Sequence, residues 1–260
     1  MPLLIVENLA LKPDPRSEDP LREAFPGQVQ VEDISFSIEP KKSLALVGEE
    51  GSGKGAIASA LLFLRPISEG SVTIAEVEVT KLSDRQIRRL RKQVQGVFSD
   101  GFGQLTENFT VDEMFSEVLR FWYPKASVEE WHHRIEMVMV SCGLPEAVRH
   151  LYPSELDAVE RQEVALARAL LLEPDLLILH EFTSRMDAVQ QAELLDRVRS
   201  VREEFGLTLL VFTDDLAVAH QLSDAIGVLH RGRLLELSLA RELIDQPEHD
   251  YTKRLVSYSI

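Results

Sequence analysis

Cysteine is nearly absent from this chain of 260 residues, which contains only Cys142. A single cysteine excludes an internal disulfide, and it excludes a zinc or iron–sulfur site held by cysteines of this chain alone. Long apolar runs are absent too, since none approaches the roughly 20 residues of a membrane span. The first residues do not resemble a signal peptide. We therefore expect a cytoplasmic protein, either soluble or peripheral on a membrane complex.

Positive charge is scarce as well. The chain has 28 Lys and Arg against 43 Asp and Glu, which gives a net charge of −15. This balance argues against binding to nucleic acid or to an anionic lipid surface over a broad face. The basic run RQIRRLRK, residues 85–92, is a candidate for a local patch, but we prefer to interpret it as the solvated face of a helix.

The stretch GEEGSGKGAI, residues 48–57, has the composition of a phosphate-binding loop. An apolar run precedes it and AIASALLFL follows, which predicts a strand, a glycine loop and a helix in that order. Lys54 and backbone N–H groups at a helix N-terminus can bind phosphates, so we prefer this function to a plain tight turn. The predicted contact residues here are Gly48, Glu49, Glu50, Gly51, Ser52, Gly53, Lys54, Gly55 and Ala56.

The alternation of segments predicts an α/β fold with a mainly parallel sheet. Short apolar runs such as DLLILHE and TLLVFTD are typical of buried parallel strands, and amphipathic stretches between them are typical of helices. The N-terminal part predicts half-buried β-strands. Residues from about 100 to 157 are predicted to be mainly helical. We therefore predict a core of residues 1–99 and 158–260 that carries an inserted helical sub-domain of residues 100–157.

Several segments together resemble the ATP-binding subunits of ABC transporters, above all those of oligopeptide and dipeptide importers. The segments are LVGEEGSGKG, the stretch from YPSEL to TSRMD, VFTDDLAVAHQLSDAIGVLHRGRLLE and the tail QPEHDYTKRL. This resemblance covers nearly the whole chain. It implies a P-loop NTPase fold of the ABC type with an N-terminal antiparallel β part. It also implies ATP as ligand, and as partners permease subunits and a second ATPase subunit at the cytoplasmic face of the inner membrane.

The motifs depart from the family's pattern at five places. Each replaced residue normally contacts the metal, the water or the γ-phosphate. The replacements are Gly55 for the loop Ser or Thr, Ser99 for a glutamine, Asp157-Ala158-Val159 for the signature Ser-Gly-Gly, His180 for the Walker B aspartate and Asp214 for the switch histidine. Two residues of the family pattern are retained: Glu181 at the position of the catalytic base, and Asp187 of the D-loop. The family also has an aromatic residue early in the chain that stacks on adenine, and Phe25 is only a weak substitute for it.

These departures remove most of the oxygen ligands that Mg²⁺ prefers. We therefore predict no metal site, weak ATP binding with little dependence on Mg²⁺, and weak or absent hydrolysis. Glu181 would be a residual base beside His180 and Asp214, and Ser99 would join the nucleotide-contacting residues. Two interpretations of His180 stay open: a cation that replaces part of the metal's charge, or a histidine satisfied at a strand end.

Asp157 also has two interpretations. In a head-to-tail dimer it would repel the phosphates on the partner, which makes a homodimer unfavourable. With Glu160 three positions on, it would form a capping box that begins the next helix, and we prefer this interpretation. Two functional hypotheses follow: a degenerate ATP-binding subunit of a peptide importer, or a pseudo-ATPase that acts as a scaffold or regulator. A small-molecule kinase fits the signature region less well.

Overall fold

The computed structural model describes residues 1–12, 30–99 and 104–259. The strands in these ranges are β1 (Leu4–Leu11), β2 (Val31–Ile38), β3 (Ser43–Val47), β4 (Glu69–Ile74), β5 (Val77–Glu78), β6 (Val94–Phe98), β7 (Leu176–His180), β8 (Thr208–Thr213), β9 (Ala225–His230) and β10 (Arg233–Leu239). The α-helices are α1 (Lys54–Leu61), α2 (Asp84–Leu90), α3 (Val111–Trp122), α4 (Val128–Ser141), α5 (Ala158–Leu170), α6 (Ala188–Phe205), α7 (Leu216–Leu222), α8 (Ala240–Asp245) and α9 (Asp250–Ser259).

The N-terminal strands form an antiparallel sheet in the order β2-β1-β4-β5. Alternate residues of β2 are buried, which is the half-buried pattern that its sequence predicts. The second sheet has the order β10-β9-β3-β8-β7-β6. Its strands pair in parallel except for the antiparallel hairpin of β9 and β10. Every residue of β3, β7 and β8 is buried, which explains their solidly apolar sequences.

Apolar side chains cover both faces of the larger sheet. On one face, α1 and the small sheet enclose Leu46, Ile178 and Phe212. The opposite face carries a second cluster that includes Leu179 and Phe115 and extends through helices α3 to α7. The predicted α/β fold with an N-terminal antiparallel part is therefore confirmed. The division into a core and a helical sub-domain at residues 100 and 157 stays a prediction.

The described residues between 104 and 157 form α3, α4 and two short 3₁₀ segments, Glu146–His150 and Pro153–Glu155. Capping boxes begin both α-helices, with Thr110 and Glu113 at α3 and with Ser127 and Glu130 at α4. None of the helices in the described ranges is both long enough and apolar enough to cross a membrane.

Candidate nucleotide site

Parallel pairing brings motif positions that are far apart in sequence to one edge of the larger sheet. Ser99 directly follows β6, Glu181 follows β7, and Asp214 follows β8. The ladder continues beyond the strands, because Ser99 N–H donates to the His180 carbonyl at 3.1 Å and Glu181 N–H donates to the Phe212 carbonyl at 2.8 Å. Ligands in open α/β sheets bind at this carboxyl edge of the strands.

The glycine loop connects β3 to α1 and lies at the same edge. Gly53 immediately precedes α1 with φ of 107°, a left-handed conformation that favours glycine. Gly48 is needed for a different reason: a Cβ there would lie 2.4 Å from the Leu229 carbonyl oxygen and 2.7 Å from Ser52 Oγ. The loop is therefore packed closely against β9, and Gly53 turns the chain into the N-terminus of α1.

Lys54 is almost completely buried and turns back onto its own loop. Its ammonium group donates to the carbonyl oxygens of Gly48 and, at 3.3 Å, Glu49. It also forms an ion pair with Glu181, with 3.1 Å between Nζ and Oε1. Only 6% of the Lys54 side chain and 20% of the Glu181 side chain are exposed. A phosphate that binds this lysine therefore has to replace protein oxygens, one of which is a carboxylate.

Glu181 has an unusual backbone and an unusual charge environment. Its φ of 48° is left-handed, which costs on the order of 1 kcal/mol for a residue with a Cβ. Burial raises the pKa of its carboxyl above the ordinary value, Lys54 opposes this rise, and the carboxylate of Asp214 adds to it. A carboxyl held in this way can orient a water, but it also competes with phosphate for Lys54.

His180 is a buried residue at the end of β7 and is paired in register with Phe98 and Phe212. Its ring lies 6.3 Å from the Phe98 ring and 6.0 Å from the Phe212 ring, between centroids. Burial, together with the nearby charge of Lys54, lowers the pKa of His180 to about 4. The histidine is therefore neutral near pH 7. This low pKa favours the interpretation of His180 as a buried histidine at a strand end over that of a cation that replaces the metal's charge, and the role of His180 stays a prediction.

The residues at this edge fit the phosphate part of a nucleotide better than its metal. The loop offers Lys54, the start of α1 and the buried Ser52 Oγ, which has no hydrogen-bond partner within the described ranges. At the family's metal positions, Gly55 has no side chain to act as a ligand, Ser99 has a short hydroxyl, and His180 has an imidazole in place of a carboxylate. The described parts of the chain contain no cluster of three or more His, Cys, Asp or Glu that could hold a metal ion.

Aspartates begin several of the helices around the site. Asp157 Oδ1 accepts from Glu160 N–H at 2.8 Å, and Glu160 Oε2 accepts from Asp157 N–H at 2.9 Å. This confirms the predicted capping box at α5. Asp187 caps α6, and Asp215, rather than the exposed Asp214, caps α7. The carboxylate of Asp157 is thus used within its own chain.

Two amide side chains near the site were not predicted from the sequence. Gln104 Nε2 and Gln162 Nε2 donate to the carbonyl of Phe98, at 2.5 Å and 3.0 Å, and so fix the end of β6 next to Ser99. The mostly buried Arg168 donates in turn to the Gln104 carbonyl. No local pattern marks these residues, because their partners are distant in sequence. Phe25 lies outside the described residues.

Comparison with known proteins assigns this arrangement to a family. The sequence profile described as "ABC transporter" matches residues 31–184. The oligopeptide transport ATP-binding protein OppF of Haemophilus influenzae is 32% identical over 227 residues, which are 87% of this chain and 68% of that protein. The oligopeptide transport ATP-binding protein AppF of Bacillus subtilis is 32% identical over 228 residues, 87% of this chain and 69% of that protein.

Solved structures share the fold. CbiO1 from Clostridium perfringens, part of the ABC transporter complex cbiONQ, superposes with a TM-score of 0.80 at 22% identity and covers 94% of this chain and 91% of its own. The dimeric bacterial ABC transporter cassette MJ0796 superposes with a TM-score of 0.76 at 22% identity, over 92% of this chain and 99% of its own. At this level of identity, the similarity concerns the fold alone.

Proposed function

The chain belongs to the ABC transporter family, and from this premise we propose that it is an ATP-binding subunit of a peptide importer whose site binds nucleotide weakly and hydrolyses it little or not at all. The relatives named for oligopeptide transport and ATP binding support the first part of the proposal. The second part rests on the side chains at the carboxyl edge of the larger sheet.

The observation that carries the proposal is the state of His180. The family pattern has a metal-binding carboxylate at this position, but here a buried, neutral imidazole ends β7. Mg²⁺ prefers oxygen ligands and neutralises charge between the β- and γ-phosphates. His180, Ser99 and Gly55 together replace the residues that hold Mg²⁺ in the family pattern. Neutralising the charge of the phosphates is therefore left to Lys54 alone. The loop keeps its glycines and Lys54 and departs only at Gly55, so binding and hydrolysis are affected differently.

When bound, ATP would supply the phosphoryl group and most of the negative charge in the site. The residues of this chain would then have separate functions. Lys54 and the N–H groups of residues 49–55 bind phosphate oxygens, and Glu181 orients a water. Asp214 brings a carboxylate where the family pattern has a histidine. Phosphoryl transfer depends mainly on positioning and charge neutralisation, so Glu181 alone contributes little.

We propose that the chain works with permease subunits and a second ATPase subunit at the cytoplasmic face of the inner membrane. MJ0796, which shares the fold, is dimeric. In a head-to-tail homodimer of this chain, Asp157 would face the phosphates on the other copy. Both nucleotide sites would then combine the altered metal-binding positions with the altered signature. A partner with an intact signature avoids one of these repulsions, so a heterodimer is favoured over a homodimer.

A scaffold without nucleotide turnover is the second candidate. The capping box at Asp157 supports it, because this box keeps α5 folded without a phosphate-contacting serine. The two candidates differ in whether ATP binds at Lys54. A subunit that responds to nucleotide needs this binding, and a pure scaffold does not.

Calorimetric titration of the chain with ATP, in Mg²⁺ and in chelator, tests the proposal. We expect weak binding whose affinity differs less than about fivefold between the two conditions, because few metal ligands remain. Lys54→Ala should abolish the binding, whereas Lys81→Ala, at an exposed lysine that pairs with Glu78, should not. A large gain on adding Mg²⁺ would refute the proposed loss of metal dependence. If no ATP binding is detected, the scaffold without nucleotide turnover is the candidate that remains.

A further inference from the structure

The glycine loop offers hydrogen-bond donors for phosphate at the start of α1. The backbone N–H groups of Lys54, Gly55 and Ala56 have no acceptor among the residues that the structure describes, as is usual in the first turn of a helix. The hydroxyl of Ser52, which is buried beside them in sequence, has no partner in the same ranges. Donors of this kind bind the phosphates that a glycine loop encloses, so this part of the site favours an anion.

The ammonium group of Lys54 is already saturated by oxygens of the protein. It has three protons, and it contacts the carbonyls of Gly48 and Glu49 and the carboxylate of Glu181. The contact with Glu49 is the longer of two, at 3.3 Å against 3.1 Å to Glu181, and its acceptor is uncharged. A phosphate that approaches Lys54 therefore replaces the Glu49 carbonyl more easily than the Glu181 carboxylate.

Two carboxylates lie at the ends of neighbouring strands, next to the loop. Glu181 follows β7 and Asp214 follows β8, and Glu181 N–H donates to the Phe212 carbonyl at 2.8 Å. The glycine loop begins at the same place, because Gly48 N–H donates to the Thr213 carbonyl at 3.3 Å. Burial and, as a smaller contribution, the Asp214 carboxylate raise the pKa of Glu181, as expected for two carboxyl groups at one end of a sheet. The strand ends beside the loop are therefore acidic.

The phosphates of a nucleotide meet these two environments in turn. Glycine loops of this type bind the α- and β-phosphates with backbone N–H groups, and their lysine reaches the β- and γ-phosphates. The terminal phosphate of a triphosphate would therefore come next to Glu181, the carboxylate that is paired with this lysine. In a metal-dependent site, Mg²⁺ bridges the β- and γ-oxygens and offsets such charges. Here Gly55 and His180 stand at the family's metal positions, and neither has a side-chain oxygen.

We infer that this site selects a nucleoside diphosphate over the triphosphate, and that Glu181 and Asp214 are the residues that disfavour the third phosphate. The inference rests on the proposed nucleotide binding and names the ligand that the site prefers. A diphosphate uses the donors at the start of α1 and replaces only the long contact of Lys54 with Glu49. A triphosphate brings additional negative charge, which like charges a few ångströms away repel.

Calorimetric titration with ADP and with ATP, both in chelator, tests this selectivity. We expect the parent to bind ADP about three- to tenfold more tightly than ATP, because the third phosphate is repelled. In Glu181→Gln/Asp214→Asn, which keeps the shape of both side chains, the ratio of the two affinities should fall below about twofold, mainly because ATP binds more tightly. Glu136→Gln/Glu203→Gln is the matched control, because it removes two exposed charges on α4 and α6, and it should keep the ratio of the parent.

Asp214→Asn alone changes an exposed side chain and should lower the ratio part of the way. Equal affinities in the parent, or tighter binding of ATP, would overturn the selectivity and leave the proposed nucleotide binding standing. A preference for ADP that is as large in Glu181→Gln/Asp214→Asn as in the parent would overturn the assignment to the two carboxylates. If neither nucleotide binds to the parent, the proposed function fails, and the inference fails with it.

Discussion

The ammonium nitrogen of Lys54 lies 3.1 Å from a carboxylate oxygen of Glu181, although 127 positions separate the two residues in sequence. The parallel register of β3, β8 and β7 brings them together. This ion pair occupies the lysine that the glycine loop would offer to a phosphate. Nucleotide binding in this site therefore competes with an interaction of the protein with itself.

Replacing Glu181 by Gln should strengthen nucleotide binding. The change removes the anion that holds Lys54, and it removes a negative charge from the place where phosphates would bind. We expect an affinity gain of about three- to tenfold, on the order of 1 kcal/mol, in a calorimetric ATP titration. Glu203→Gln removes an exposed charge on α6 and serves as the control. Unchanged or weaker binding in Glu181→Gln would contradict the competition.

Acid should destabilise the protein through His180. The folded-state pKa is about 4 and the ordinary value is about 6.5, so protons bind more tightly to the unfolded chain between these values. Stability conferred by the neutral buried ring is complete above the unfolded pKa and is lost as pH falls toward the folded one. From about pH 7.5 to pH 5.5 this loss is about 1.4 kcal/mol.

Urea unfolding at the two pH values checks the His180 prediction. The parent should lose about 1.4 kcal/mol more than His180→Asn, in which the group that titrates is absent. His133→Asn alters an exposed histidine on α4 and should follow the parent. If His180→Asn and the parent lose equal stability on acidification, His180 is not the group responsible.

The sequence predicts the features that depend on local spacing. The glycine loop follows from an apolar run, four glycines and Lys54, and the capping box follows from Asp157 and Glu160 three positions apart. The protonation of His180 could not be predicted, because it depends on how deeply β7 is covered by the neighbouring strands and helices.

Purified alone, the chain should hydrolyse ATP at or near background. His180→Asp by itself should not restore turnover, because the metal ligands, the signature and the switch act together and their effects are not additive. Phosphate-release assays should detect activity only when all departures are reversed, by Gly55→Ser, Ser99→Gln, Asp157→Ser, Ala158→Gly, Val159→Gly, His180→Asp and Asp214→His. Robust hydrolysis by the unmodified chain that Glu181→Gln eliminates would refute this prediction.

The last prediction concerns assembly, and it depends on Asp157. Two copies in a head-to-tail dimer would each place this carboxylate opposite the other's phosphates, and like charges a few ångströms apart repel by on the order of 2 kcal/mol per site. We therefore expect a monomer by light scattering in ATP and Mg²⁺, and a larger dimer fraction for Asp157→Ser/Ala158→Gly/Val159→Gly. Serine also caps helices well, so α5 should stay folded in this variant. A stable ATP-dependent homodimer of the unmodified chain would mean that Asp157 does not face a phosphate.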